Sequence, residues 1–345
     1  MNEVFETVRA IVDGHYDIGR LVRAEPIDKG YINVSYRLVI RHEGRETPYI
    51  LRRYRSGTDL ARIRFEHALM GELERNGFTL TPVLIPTRAG DTLVEADDHL
   101  ALFSFLEGDE PYAWDRTGCD TSEIADAARV LADYHRTLRD WKPPGLEQGP
   151  RLVDSLPTFA ADWSALEPAA KETEFGVYFF SHRPGLVDRA VALHDALPRS
   201  IYDTLPHVAV HGDFHPGNLK FRNGAVVGLF DFDWAKIDAR CFDVALAATY
   251  FCAVWDNDGG LDTKALALFL GSYQQQPDPL GGVELHWLPA LIEAANLYVL
   301  SWTIGDFFRF RPAPAEYLRY LRHGVRLARW LEDRREELAG LIVHC

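Results

Sequence analysis

The stretch that most constrains this chain is His211-Gly212-Asp213-Phe214-His215-Pro216-Gly217-Asn218, followed by Leu229-Phe230-Asp231-Phe232-Asp233. Asn218 stands five residues after Asp213, and Asp231 eighteen residues after it. Between them, residues 219–222 and 225–230 read as two short strands joined by Asn223-Gly224, a pair that supplies the two positive φ values of a tight hairpin. A hairpin brings its ends together, so Asn218 and Asp231 are expected as neighbours, an amide oxygen and a carboxylate outlining a divalent-metal site. His211 and His215 have no Cys partner and no H-E-x-x-H spacing, so they are expected to position the loop through hydrogen bonds and not to bind zinc.

Phosphoryl transfer from a nucleotide fits that pattern. Such sites use an Asp that accepts the proton of the attacking hydroxyl, then an Asn and a later Asp on Mg²⁺. Asp213, Asn218 and Asp231 take these roles in turn. Mg²⁺ keeps several waters, so one amide and one carboxylate, with phosphate oxygens, suffice as ligands. Asp233 stays open between assisting a second metal and facing water. No G-x-S-x-G elbow occurs, which leaves Ser-His-Asp hydrolysis without its nucleophile.

The H-G-D-x-H-x-x-N loop ahead of an apolar strand ending in D-F resembles the aminoglycoside phosphotransferase and choline kinase superfamily, with type II homoserine kinases and N-acetylhexosamine kinases as similar branches. The resemblance implies an α+β, bilobal protein-kinase-like fold over nearly the whole chain. Residues 1–107 are then a small β-rich N-lobe that binds nucleotide, and residues 108–345 a larger, mainly α-helical C-lobe that carries the catalytic loop and receives the acceptor. ATP and Mg²⁺ are the implied cofactors, and a small-molecule hydroxyl is the implied acceptor.

Within the first region, residues 3–12 suggest an amphipathic helix, and residues 20–28, 34–41 and 47–54 suggest strands rich in β-branched and aromatic residues. The turn from Lys29 to Tyr36 holds Gly30, Asn33 and Ser35, small or short polar residues suited to a backbone that approaches phosphate. On the third strand Arg52 follows Ile50-Leu51 and is the candidate cation for the nucleotide phosphates, while Arg53 points to the opposite face. A helix over 59–76 ends at Asn76-Gly77 and carries Glu66 beside its apolar stripe, as the expected partner of Arg52. Strands near 83–86, 92–95 and 99–105 complete the region. Ser104-Phe105-Leu106-Glu107-Gly108 reads as a hinge, where by resemblance the backbone around Phe105 and Leu106 receives the adenine.

From there the pattern turns helical. Asp120-Thr121-Ser122-Glu123 resembles a capping box, and the apolar face that follows includes His135 as a packed or hydrogen-bonded residue. Residues 145–184 suggest an insertion, a helix over 185–197 follows, and residues 208–210 form the strand before the loop. Asp243 reads as a helix cap that, by resemblance, supports the catalytic loop. Helices near 262–273, 284–308 and 316–332 are aromatic-rich, with Trp302, Phe307 and Phe308 in the core. Asp256 and Asp306 offer an acceptor amine a partner, with ordinary surface acids as the plainer reading.

Composition bounds the function. The chain of 345 residues is 47% hydrophobic, enough for a substantial core, and its charge of −14 excludes the basic footprint that nucleic acid needs. Residues 1–107 hold 14 Lys and Arg against 17 Asp and Glu, and residues 108–345 hold 23 against 34. That acidity favours solubility first, and a cationic acceptor second. The N-terminus lacks a signal-peptide pattern and the longest apolar run, 244–255, is too short for a bilayer, so a cytoplasmic, non-membrane protein is expected. Cys119, Cys241, Cys252 and Cys345 have no paired spacing and read as reduced thiols. The expected acceptor is an amino alcohol or a homoserine-like hydroxy amino acid, with an amino sugar or aminoglycoside as the alternative. A catalytically silent nucleotide-binding regulator is the reading from another class, and no activation-loop or A-P-E signature points to a protein acceptor.

Overall fold

β-branched and aromatic residues set between turn formers build the N-terminal part of the chain into an antiparallel sheet. The computed structural model describes residues 2–27, 33–95, 98–113, 115, 118–143, 149–167, 173–255, 259–310 and 313–344. The chain divides into two compact units. The first comprises Met1–Gly108, Lys142–Gln148 and Val227–Asp233, so it takes in a late segment that a single boundary after residue 107 leaves with the other half.

In this first unit α1 (Asn2–His15) precedes β1 (Arg20–Ile27), β2 (Val34–His42) and β3 (Arg45–Arg53), then α2 (Leu60–Arg75), β4 (Leu84–Ile85), β5 (Val94–Glu95) and β6 (His99–Ser104). The strand order is β1-β2-β3-β6-β4, with β5 also on β6 and every pair antiparallel. Val8 and Val12 of α1, with Tyr16 just after it, pack with Leu38, Ile40, Leu51 and Leu102 into one buried cluster. Leu51 is fully buried there, so the strand's period of two turns Arg52 to the other face. The Asp59 carboxylate caps α2 by accepting from the Ala61 N–H at 2.9 Å, and the helix stops at Asn76, before Gly77 at φ +79°.

The second unit comprises Asp109–Trp141, Gly149–Val226 and Trp234–Cys345. It begins with α3 (Thr121–Thr137), α4 (Leu152–Ala165), α5 (Glu174–Ala196) and the short α6 (Arg199–Tyr202). Next come β7 (His207–Val210), the hairpin of β8 (Leu219–Arg222) with β9 (Ala225–Leu229), whose residues from Val227 on are counted with the first unit, then β10 (Lys236–Ala239) and α7 (Arg240–Phe251). It closes with β11 (Ala253–Val254), β12 (Gly260–Leu261), α8 (Thr263–Gln274), α9 (Gly282–Phe310), α10 (Pro314–Asp333) and α11 (Arg335–Val343). Asp120 and Glu123 form the reciprocal capping box of α3. Asn223 and Gly224 turn the hairpin at φ +54° and +76°. Every residue of α7 is buried, as a helix apolar on all sides requires, and it packs against α3, α8 and α9.

Two expectations need correction. Residues 145–184 contain α4 and the first half of α5, which continues through Pro184 where a helix start was expected at 185. The final helix α11 was not foreseen. Cys119, Cys241 and Cys252 are free thiols, and Cys345 lies outside the described residues. No helix among the described residues is long and apolar enough to cross a membrane.

Candidate active site

β7 and β10 pair with Val210 opposite Lys236, which sets the loop that leaves β7 beside the residues that enter β10. Gly212 makes this approach feasible. At φ +75° it lies where a Cβ would fall 2.3 Å from the Trp234 carbonyl oxygen. The next two anchors come from α7. Asp243 accepts from the His211 N–H at 2.8 Å and from the Gly212 N–H at 3.0 Å. His135 Nε2 lies 3.0 Å from the same carboxylate, and its Nδ1 lies 2.9 Å from the Tyr273 hydroxyl. An ionised carboxylate only accepts, so His135 carries its proton on Nε2 and takes the Tyr273 hydroxyl at Nδ1. Burial disfavours the Asp243 charge, but His135 first and then His211 outweigh it, and the carboxyl sits below its ordinary range. Asp243 therefore clamps the loop as expected, but not as a helix cap. The N-cap position of α7 is Ala239, and Asp243 lies a turn inside the helix with its side chain directed to the loop backbone.

Asp213 is held from three sides. Asn218 Nδ2 donates to the Asp213 carbonyl oxygen at 2.9 Å and to Oδ2 at 3.1 Å. Tyr250 of α7 donates its hydroxyl to Oδ1 at 3.3 Å. His215 Nδ1 accepts from the Gly217 N–H at 3.0 Å, so the proton of the neutral ring is on Nε2, 3.4 Å from Asp213 Oδ2. Burial works against the Asp213 charge, but His215 above all, with His211 and the Asn218 amide, holds its carboxyl below the usual range. Burial and Asp213 together push the Tyr250 hydroxyl far up, so it stays a donor. The Asp213 side chain keeps 24% of its surface exposed. The result is an ionised, partly accessible carboxylate fixed in place.

The first unit holds a different cluster. Arg52 donates through one terminal nitrogen to Glu66 at 3.0 Å and to Asp233 at 3.1 Å, and its other terminal nitrogen lies 3.7 Å from Asp231. Tyr54 donates to Glu66 Oε2 at 3.0 Å, and Asn33 donates to Asp233 Oδ2 at 2.5 Å while accepting from the Arg55 N–H. Arg62 adds a bond to the Asp233 carbonyl oxygen at 2.8 Å. Burial opposes the Arg52 charge, yet Asp233, Glu66 and Asp231 hold its pKa above even its ordinary high value. Burial, with repulsion among the acids, pushes Glu66 and Asp233 upward despite Arg52. Three carboxylates thus share one buried guanidinium with the exposed Arg62 at their edge, and acids outnumber cations in the cluster.

That excess of acid is one sign that a divalent cation suits these residues. The other is Asp231 itself, at φ +67°, whose buried Oδ1 has no hydrogen-bond partner. In the second unit, Asn218 spends its Nδ2 on Asp213, which leaves the amide oxygen as its ligating atom. Oxygen donors of this kind fit Mg²⁺.

The residues expected from sequence fall into the two units. Asn33, Ser35, Arg52, Glu66, Phe105, Leu106 and Asp231 belong to the first, and Asp213 and Asn218 to the second. Arg52, Glu66, Asp231 and Asn33 share one network. Ser35 pairs across the sheet with Arg52, and Phe105 carries the Arg37 guanidinium 4.6 Å over its ring. Arg53 is half exposed beside Asp98, on the other face from Arg52. Gly30 and Asp256 lie outside the described residues. Asn33 was expected to meet phosphate, whereas its amide is engaged by Asp233 and the Arg55 backbone. Asp233, left open by the sequence, is a direct partner of Arg52. Tyr54 and Tyr250 were missed, since a tyrosine on a strand or within a buried helix carries no signal beyond packing.

A family model described as "Phosphotransferase enzyme family" matches residues 23–280. The homoserine kinase of Chelativorans sp. (strain BNC1) is 30% identical over 320 residues, which cover 89% of this chain and 90% of that protein. Among solved structures, a microcompartment-associated aminopropanol kinase aligns with a TM-score of 0.71 at 19% identity, over 97% of this chain and 99% of its own. A spectinomycin phosphotransferase solved with ADP and spectinomycin aligns with a TM-score of 0.65 at 13% identity, over 95% of this chain and 98% of its own. These two likenesses agree with the α+β, protein-kinase-like fold expected from the sequence.

Proposed function

This chain belongs to the phosphotransferase enzyme family and is a kinase of a small-molecule hydroxyl, and from that premise we propose that it moves the γ-phosphoryl group of ATP to a homoserine-like hydroxy amino acid or a short amino alcohol. The observation that carries this reading is the Asp213 carboxylate, held ionised by His215 and Asn218 and still partly exposed. In this proposal the acceptor's hydroxyl oxygen attacks the γ-phosphorus, its proton passes to Asp213, and the bond to the β,γ-bridging oxygen breaks to release ADP. Arg52, oriented by Glu66, draws the nucleotide phosphates. Asn218 and Asp231 are the residues that would hold Mg²⁺, which neutralises charge on the phosphates when bound. Asp243, His135 and Tyr273 do none of the chemistry but keep the loop backbone in register with α7. Rate acceleration then comes from alignment and fixed charge, with no covalent intermediate.

The names of the similar proteins support the acceptor class: homoserine for the curated relatives and aminopropanol for the structural neighbour. The test is a ³¹P NMR assay with Mg·ATP and homoserine, short amino alcohols or hexosamines. A new phosphomonoester resonance with homoserine or an amino alcohol is expected, and it disappears in Asp213→Ala. Transfer only to hexosamines, or equal transfer by Asp213→Ala, would overturn the proposal.

A further inference from the structure

Behind the pair of Arg52 and Glu66 runs a chain of hydrogen bonds that takes no direct part in the chemistry. Tyr54, just after β3, places its hydroxyl between two consecutive residues of α2: it donates to Glu66 Oε2 at 3.0 Å and lies 3.0 Å from His67 Nε2. His67 Nδ1 in turn lies 2.8 Å from the Thr92 hydroxyl, ahead of β5. Tyr54, Glu66 and His67 are buried, and all four residues belong to the first unit. Consecutive helix residues project about 100° apart, so the meeting of both on one hydroxyl is a specific arrangement.

Counting protons fixes the direction of each bond. The Tyr54 hydroxyl spends its one proton on Glu66, so its oxygen accepts from the His67 Nε2–H. Nδ1 of the neutral ring is then an acceptor, and the Thr92 hydroxyl donates to it. Burial, followed by Arg52 and Arg64, pushes the His67 pKa down to about 4 against the pull of Asp91, which keeps the ring neutral. Burial, with Glu66 beside it, pushes the Tyr54 hydroxyl far up and keeps its proton in place. Thr92, His67 and Tyr54 therefore all donate toward Glu66. Bonds that run in one direction polarise one another, and the last of these ends on the carboxylate that Arg52 meets.

Glu66 is the acid best placed to hold Arg52 still. Asp231 is a metal ligand in the proposed function, and Asp233 also serves Asn33. Glu66 gives Oε1 to Arg52 and Oε2 to Tyr54, and the two bonds together fix the plane of its carboxylate. The Arg52 guanidinium carbon lies 5.9 Å over the Tyr54 ring and 5.4 Å over the Phe103 ring, and His67 packs edge-on to Phe103 with centroids 6.1 Å apart. Arg52 Nε is buried with no hydrogen-bond partner among the described residues, so the terminal nitrogens carry the anchoring bonds.

We propose that Tyr54 and His67 are positioning residues for phosphoryl transfer, setting the reach of Arg52 toward the nucleotide phosphates through Glu66. The inference rests on the proposed role of Arg52 in holding those phosphates. A tyrosine and histidine that served the fold alone would lower stability when separated and leave nucleotide affinity unchanged.

The test is a double-mutant cycle read as Mg·ATP affinity by titration calorimetry, on wild type, Tyr54→Phe, Glu66→Gln and the double variant, with melting temperatures alongside. Tyr54→Phe keeps the ring and should weaken Mg·ATP binding by about tenfold, the scale for loss of a group that orients a ligating residue. In the Glu66→Gln background the same substitution should change affinity by no more than about twofold, because the group it acts through is already gone. His67→Phe should weaken binding by about threefold, and His67→Gln, whose amide can still donate to Tyr54, should recover most of that loss. Wild-type affinity in Tyr54→Phe, whatever its melting temperature, or an equal loss in the Glu66→Gln background, would overturn the proposal. A wild type that does not bind Mg·ATP, or a Glu66→Gln that binds it as well as wild type, fails the proposed function itself and this inference with it.

Discussion

Asp213 and Arg52 sit in opposite electrostatic situations. Around Asp213 a single carboxylate is met by Tyr250, Asn218 and His215, and its backbone is tied to Asp243. Around Arg52 a single cation is met by Glu66, Asp233 and Asp231. The groups around Asp213 favour its charged form, whereas those around Arg52 hold more acid than base. In the proposed mechanism these two sides divide the work of phosphoryl transfer: Asp213 acts as a preorganised base, and the Arg52 cluster is the side that would receive Mg²⁺ with the nucleotide.

Substitutions can break this contrast, beginning with the largest effect. Asp213→Asn should lower kcat by about 10³-fold or more, within the range for loss of a general base or larger because the acceptor is also positioned there. Asp231→Asn should weaken the apparent Mg²⁺ affinity by about tenfold or more, as loss of a carboxylate ligand does. Without metal the same variant should melt no lower than wild type, because it removes a like charge from the cluster. Loss of stability in metal-free Asp231→Asn would contradict that picture.

Smaller effects test the scaffold. Asp243→Asn should cost about 3 kcal/mol in chemical denaturation, the scale for breaking a buried charged network. The pH dependence has a definite sign. The folded Asp243 pKa lies below the unfolded value of about 3.9, so its contribution is fully present above that pH and is lost as pH falls through the lower folded value. The wild type should therefore lose stability in this acid window, and Asp243→Asn should show a flatter acid limb. Gly212→Ala should cost about 1–2 kcal/mol or more, because the residue needs φ +75° and its methyl meets the Trp234 carbonyl. Unchanged melting of Gly212→Ala would show that the loop is not held as described.

Much of this was legible in the sequence, and the limits have physical causes. Asn223-Gly224 announced the hairpin and Asp120 with Glu123 the start of α3, because both are local and few residues satisfy their geometry. Arg52 and Glu66 were legible together because the resemblance expects a strand cation held by a Glu of the next helix, and the strand's period of two and the helix's stripe left one candidate for each. Asp233 was not, since its bonds to Arg52 and Asn33 span 181 and 200 positions and no spacing rule reaches so far. Asp243 looked like a cap because it begins a helical run, while its partners lie on a loop 31 and 32 residues upstream. α5 was read short because Pro184 usually ends a helix.

The division of labour is tested most directly by titrating Mg·ATP calorimetrically into Asp213→Asn and Asp231→Asn side by side. Asp213→Asn should bind Mg·ATP within about twofold of wild type while failing to turn over, and Asp231→Asn should lose about tenfold or more in affinity. Weakened binding in Asp213→Asn with unchanged binding in Asp231→Asn would contradict the account.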